Sequence, residues 1–229
     1  MAKSQYDLCL QVLRRLRDEG ILDQLVIVGS WCVVLYAEYF KGKGLLPAIR
    51  TRDIEFLVPA RPSLRSRIDL HELLKDLGFV IDFKGDEGYT VLVHPDLILE
   101  FLLSAHGREP QEPRRIDTLG IAPQPLRFMD LLTKDTIRAA FGDVEVIVPH
   151  PANFALQKLL IARRRKQKEK AEKDRSQAVA VLNALRGSGE FERAYELYQS
   201  MSASRRRTIR RELTALDEAD LLAELSAHA

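Results

Sequence analysis

Thr51-Arg52-Asp53-Ile54-Glu55-Phe56-Leu57-Val58 decides how this chain folds. It reads as a β-strand of strong β-formers interrupted by two acids at i and i+2. Side chains alternate along a strand, so Thr51, Asp53 and Glu55 share one side. Ile54, Phe56 and Val58 are left for the core. Two like charges side by side repel, and a strand gains nothing from them unless a cation lies between. Hard divalent cations, Mg2+ or Mn2+, take carboxylate oxygens and complete their shell with water and substrate phosphates.

Upstream, Val26-Ile27-Val28-Gly29-Ser30 supplies the complementary half. Leu25 to Val28 reads as a short buried strand that breaks at Gly29-Ser30 and enters an apolar helix, Trp31 to Phe40. A glycine lets the backbone approach a ligand closely, and a helix N-terminus offers free N–H groups to phosphate oxygens. An anion cradle beside a metal-binding acid pair is the equipment of phosphoryl or nucleotidyl transfer.

Downstream, Leu97 to Leu103 is apolar on both faces except for Glu100. A lone acid in such a strand is costly unless it is paired or metal-bound. Two readings stand: a third acid of the site, or a salt bridge to Arg50 or Arg52. The remaining elements follow from periodicity and turn residues. An amphipathic helix spans 4–19 and another 66–77. Strands at 79–83 and 89–93 form a hairpin, and 115–121 adds an edge strand. A short helix covers 127–132, and a second hairpin, 136–141 and 144–148, turns at Gly142-Asp143. Beyond Pro149-His150-Pro151 only helical patterns occur. The expected fold is α+β: a mixed β-sheet with flanking helices, then a C-terminal helical bundle. Residues 1–149 form the sheet domain and 150–229 the helical domain, with the site in the cleft between them.

The helical half opens with 152–166, in which Lys158 sits among leucines. It either donates to a phosphate as a point charge or snorkels to the surface. From Ile161 to Arg211, fifteen Lys and Arg face six Asp and Glu, a local +9 in a chain of net +2. That surplus fits contact with nucleic acid phosphates, or equally a solvated face. The loop Lys41-Gly42-Lys43-Gly44 reads either as an exposed linker or as two lysines within reach of a triphosphate. His94, His106 and His150 are isolated, without metal-ligand spacing, and read as surface or loop histidines rather than ligands. Cys9 and Cys32 lie in apolar helical patterns and read as buried free thiols, which suits a reducing cytoplasm. No apolar run reaches the roughly 20 residues of a membrane span, and residues 1–7 lack the apolar core of a signal peptide.

Gly29-Ser30, a helix, then Asp53-Ile54-Glu55 on a strand resembles the signature of the DNA polymerase beta-like nucleotidyltransferase superfamily. Arg50-Thr51-Arg52 before the acids is similar to the form this strand takes in bacterial relatives of the abortive-infection (AbiEii-type) toxin nucleotidyltransferases. The resemblance implies transfer of a nucleoside monophosphate from an NTP such as ATP to a hydroxyl acceptor, with release of pyrophosphate. It implies Gly29 and Ser30 on the triphosphate and Mg2+ or Mn2+ on Asp53, Glu55 and Glu100. Glu100 takes the place of a third carboxylate that binds metal or accepts the hydroxyl proton. Thr51 orders a metal ligand or is an ordinary strand threonine. Lys158 and Lys173-Asp174 match, in type and order, the lysine and the basic-Asp pair of the toxin-type relatives. There the lysine contacts phosphate and the aspartate holds the site together or acts in catalysis. Two other classes stay open: a silent nucleotide- or RNA-binding module, and a toxin-like component controlled by a partner protein. The acceptor, whether RNA, protein or small molecule, is not readable.

Overall fold

The computed structural model describes residues 3–40, 51–64, 66–105 and 114–227. The Lys41–Gly44 loop, Arg50, His106, Pro110 and Pro113 lie outside these residues.

The fold is α+β. Its centre is an eight-stranded mixed sheet in the order β3-β4-β5-β2-β1-β8-β7, with β6 pairing β5. The strands are β1 (Val26–Val28), β2 (Asp53–Leu57), β3 (Val80–Lys84), β4 (Tyr89–Val93), β5 (Ile98–Ser104), β6 (Gln124–Leu126), β7 (Thr136–Phe141) and β8 (Val144–Pro149). β1 runs antiparallel to β2 and parallel to β8, while β2 and β5 are parallel. α1 (Lys3–Asp18), α2 (Trp31–Tyr39), α3 (Leu70–Leu74) and α4 (Asp130–Lys134) flank the sheet. After it come α5 (Pro151–Ala162), α6 (Lys168–Ser188), α7 (Phe191–Gln199), α8 (Ala203–Ala215) and α9 (Ala219–Ser226).

The alternation in β2 is realised. Ile54, Phe56 and the following Val58 are buried and join Ile27, Leu99 and Phe101 in the main core with α1 and α2. The opposite face carries a small separate cluster of Val28, Leu57, Leu102, Met129 and Leu132. By alternation that face also bears Asp53 and Glu55. The main core continues without interruption through α5 into α9. α5 is its axle, buried on nearly every side. Phe154 meets Tyr36 of α2 edge to face at 5.5 Å, and the Tyr36 hydroxyl donates to the Pro149 carbonyl at 2.6 Å.

Local expectations are corrected in five places. The helix expected at 66–77 starts only at Leu70, because Asp69 accepts from the His71 and Glu72 N–H groups as an N-cap. Before it, Ile68 N–H is drawn to the Thr118 carbonyl. Residues 115–121 make no strand but a turn closed by one bridge between Ile116 and Ile121. The added strand is β6, where Pro125 is tolerated because β6 pairs only with β5. The helix expected from Arg127 begins at Asp130, since Phe128 takes a left-handed backbone, φ 64°. α5 stops at Ala162 rather than 166, where the Arg164 and Arg165 N–H groups turn to the Ile161 and Ala162 carbonyls and tighten the last turn. His150 is buried, not a surface residue; its Nδ1 accepts from Ala152 N–H and caps α5. Cys9 and Cys32 are free and buried, as expected. Among the described residues no helix is long and apolar enough to cross a membrane.

Candidate active site

The sheet register assembles the site. Glu55 lies directly across from Glu100 on β5 and from Val28 on β1. Cross-strand partners share a face, so Asp53, Glu55 and Glu100 project to the same side. Glu100 therefore stands beside the acid pair, and it is also salt-bridged, as the other reading of it has it. Among the described residues its cation is not Arg52. Lys84, two strands away on β3, holds both its carboxylate oxygens at 2.9 and 2.8 Å. Arg52 instead reaches the His94 carbonyl.

Glu55 is half-buried and its carboxylate packs on Gly29. Burial pushes its pKa up, the Lys158 charge opposes this, and Glu100 adds to it. Gly29 is required twice over. Its φ of 71° is left-handed, and a Cβ there would overlap the Glu55 carboxylate. Gly29→Ala is expected to cost about 1–2 kcal/mol from backbone strain. It should also push the Glu55 carboxylate off the turn. Urea unfolding checks the cost; a variant as stable as wild type would refute this account of Gly29.

Ser30, at the start of α2, accepts from the Gln177 amide of α6 at 3.2 Å, tying the cradle to the helical half. Thr51 Oγ1 accepts from Asp53 N–H at 3.4 Å, so it steadies the backbone of the first acid. Asp53 is exposed, and its carboxylate has no hydrogen-bond partner among the described residues.

Lys158 does not snorkel. It is 5% exposed, and its Nζ donates to Asp174 at 2.6 Å. Asp174, 3% exposed, also accepts from Arg165 Nε at 2.7 Å. Lys173, one residue earlier on α6, is exposed and faces the acids. Burial and then Lys158 push its pKa down, while Glu55, Asp174 and Asp53 pull it up. Part of the basic surplus is internally matched: Arg175, Arg186, Arg193 and Arg205 pair with Glu212, Glu224, Asp135 and Asp130.

Between the carboxylate face and α5 lies a cavity of about 440 Å³. Gly29, Glu55 and Lys158 line it, together with apolar Val28, Leu102, Leu126 and Ile161. Phe128, Gln157, Arg164 and Arg165 line it too, and sequence reasoning assigned them no role. Only Gln157 left a trace, a polar residue next to Lys158 in an apolar helix. Asp53, Glu100, Ser30, Thr51 and Asp174 are not among the lining residues.

The donor set fits a hard divalent cation. Among the described residues the Asp53 carboxylate has no hydrogen-bond partner, and Glu55, whose pKa burial pushes up, lies on the same face. Among the described residues no three acidic, histidine or cysteine side chains form a ready-made metal cage. Mg2+ needs none, since one or two carboxylates plus substrate phosphates suffice.

Carboxylates on a sheet face stand beside a glycine-led helix N-terminus, an arrangement suited to phosphate esters. A family model described as nucleotidyltransferase matches residues 8–201. The chain belongs to that family and is a nucleotidyltransferase. A search of curated proteins finds no match. Among solved structures, the antibiotic-resistance factor ANT(2'')-Ia is similar in fold, with TM-score 0.51 and 16% identity over 96% of this chain and 98% of that one. An antigenic nucleotidyltransferase-like protein from Paracoccidioides brasiliensis matches with TM-score 0.51 and 15% identity over 96% of this chain and 92% of that one.

Proposed function

We propose that the protein transfers a nucleoside monophosphate from an NTP to a hydroxyl acceptor, with a divalent cation at Asp53 and Glu55. The sheet domain, residues 1–149, supplies the acids, and the helical domain, residues 150–229, supplies Lys158 and Lys173. The observation that carries this reading is the alignment of Glu55 with Glu100 beside Asp53, with the Glu55 carboxylate against Gly29. A cation held by these acids would neutralise phosphate charge and align the attacking and leaving oxygens.

The residues of the chain divide the remaining work. The turn at Gly29 and Ser30 presents the N-terminus of α2 to the triphosphate. Lys173 faces the acids and adds positive charge where phosphates gather. The acceptor oxygen forms a bond to the α-phosphorus, and the bond from that phosphorus to the β-phosphate oxygen breaks, releasing pyrophosphate. The hydroxyl proton passes to Glu100, whose carboxylate Lys84 holds in place. Thr51 fixes the backbone of Asp53, and Asp174 holds Lys158 toward Glu55. The meeting of Lys158 with Asp174 supports placement near the toxin-type branch.

The test is incubation with each of four α-labelled NTPs and Mg2+ or Mn2+, offering cellular RNA, protein and small alcohols as acceptors. Wild type is compared with Asp53→Ala. Label moving with wild type alone is the expected result, and it names base and acceptor together. Equal labelling by both proteins, or none by either, would overturn the reading. Growth arrest on expression in bacteria, dependent on Asp53, is the further mark of the toxin-type branch.

A further inference from the structure

The cavity beside the acids has one feature that transfer chemistry does not use. Gln157 is 2% exposed and lines the cavity, yet its amide makes no hydrogen bond among the described residues. Although the residue as a whole is buried, its amide opens onto the cavity, where a ligand can reach it. Its neighbours show how such groups are otherwise satisfied. Asn153, one turn earlier on α5, donates to the Leu131 carbonyl at 2.8 Å. Gln157 has no such carbonyl and faces the cavity instead.

The rest of the cavity suits one kind of ligand. Its volume of about 440 Å³ lies within the ordinary range for small-molecule sites and suits a nucleoside. Its walls are mostly apolar, as the faces of a base ring require. It reaches from Gly29 and Glu55 to Phe128. Phe128 carries a left-handed backbone that is unfavourable for a bulky residue, φ 64°. Its ring is held by the guanidiniums of Arg164 at 5.0 Å and Arg205 at 5.2 Å. Arg164 lines the cavity as well, so a planar cation backed by an aromatic ring is available for stacking. An amide offers a donor beside an acceptor, the pattern that reads a base edge.

We propose that this cavity holds the base of the donor nucleotide and that Gln157 selects which base is accepted. The inference rests on the proposed NTP-dependent transfer. It adds a residue that sets nucleotide preference and does not itself join in the chemistry. The exposed side of the site, at Asp53, is left for the acceptor.

Binding without acceptor separates the two claims. Inorganic tripolyphosphate probes the phosphate cradle alone, and ATP, GTP, CTP and UTP probe cradle plus base, each titrated in Mg2+. Wild type is expected to bind one NTP at least about tenfold tighter than tripolyphosphate and than the least favoured NTP. Gln157→Leu keeps the volume and removes the hydrogen bonds. It should bind tripolyphosphate as wild type does, which also shows that it is folded, while the spread among the four NTPs collapses to within about threefold. Gln157→Glu keeps the size and loses the donor; it should reorder the four NTPs rather than level them. Unchanged base preference in both variants overturns the role of Gln157 and leaves the transfer reading intact. Failure of wild type to bind either tripolyphosphate or any NTP overturns both.

Discussion

Replacing Glu55 with glutamine is expected to stop transfer and yet make the unliganded protein more stable at neutral pH. The loss of rate should be about 10³-fold, the worth of several kcal/mol of charge stabilisation in the transition state. The gain in stability follows from the pKa. Burial raises the folded-state pKa of Glu55 above its ordinary value of 4.5, and Glu100 raises it further. An acid that holds its proton more tightly when folded stabilises the fold fully below its unfolded pKa. That contribution is lost as pH rises from 4.5 through the raised folded value. Glutamine is neutral throughout and escapes the loss. Wild type and Glu55→Gln should therefore unfold alike in urea near pH 4 and diverge above it, with the variant the more stable at pH 8. Mg2+ should narrow that gap, because it binds the carboxylate and stabilises wild type by mass action. A variant less stable than wild type at pH 8 would mean that Glu55 is satisfied within the fold and is no destabilised ligand.

The same residue shows how far the sequence could be read. Asp53 and Glu55 were legible because strand alternation is local: two residues apart means one face, whatever the rest of the chain does. Glu100 was legible as a lone acid in an apolar strand. That it stands opposite Glu55 was not, because the parallel register of β2 and β5 is fixed by the long intervening crossover. Lys84 was invisible for the same reason, since its partner lies two strands away in the sheet. The start of α3 was misplaced although its signal was present. Asp69 before Leu70 is a good N-cap, and the apolar Ile68 suggested a longer helix. Phe128 gave no signal at all. Aromatic residues do not announce a left-handed backbone, and the two guanidiniums packed on its ring come from far along the chain, one just beyond α5 and one on α8.

Lys158→Met is expected to destabilise the protein by about 3 kcal/mol, lowering Tm by roughly 6–12 °C. Lys158 and Asp174 are both almost wholly buried, and removing one partner strands the other charge. The cost falls at the lower end of the range for broken buried pairs because Arg165, whose side chain is 38% exposed, still holds the other Asp174 oxygen. Removing both charges together, Lys158→Met with Asp174→Leu, should recover most of the stability, since apolar replacement of a whole buried pair is commonly neutral or better. Transfer should not recover with it. Lys158 opposes the upward push on the Glu55 pKa, so its loss raises that pKa further. If ionised Glu55 is needed for transfer, the acid limb of the pH–rate profile should move to higher pH in both the single and the double variant. A double variant that regains stability and keeps the wild-type pH profile would make Lys158 a structural residue only. One that regains stability with a displaced profile assigns its charge to the site.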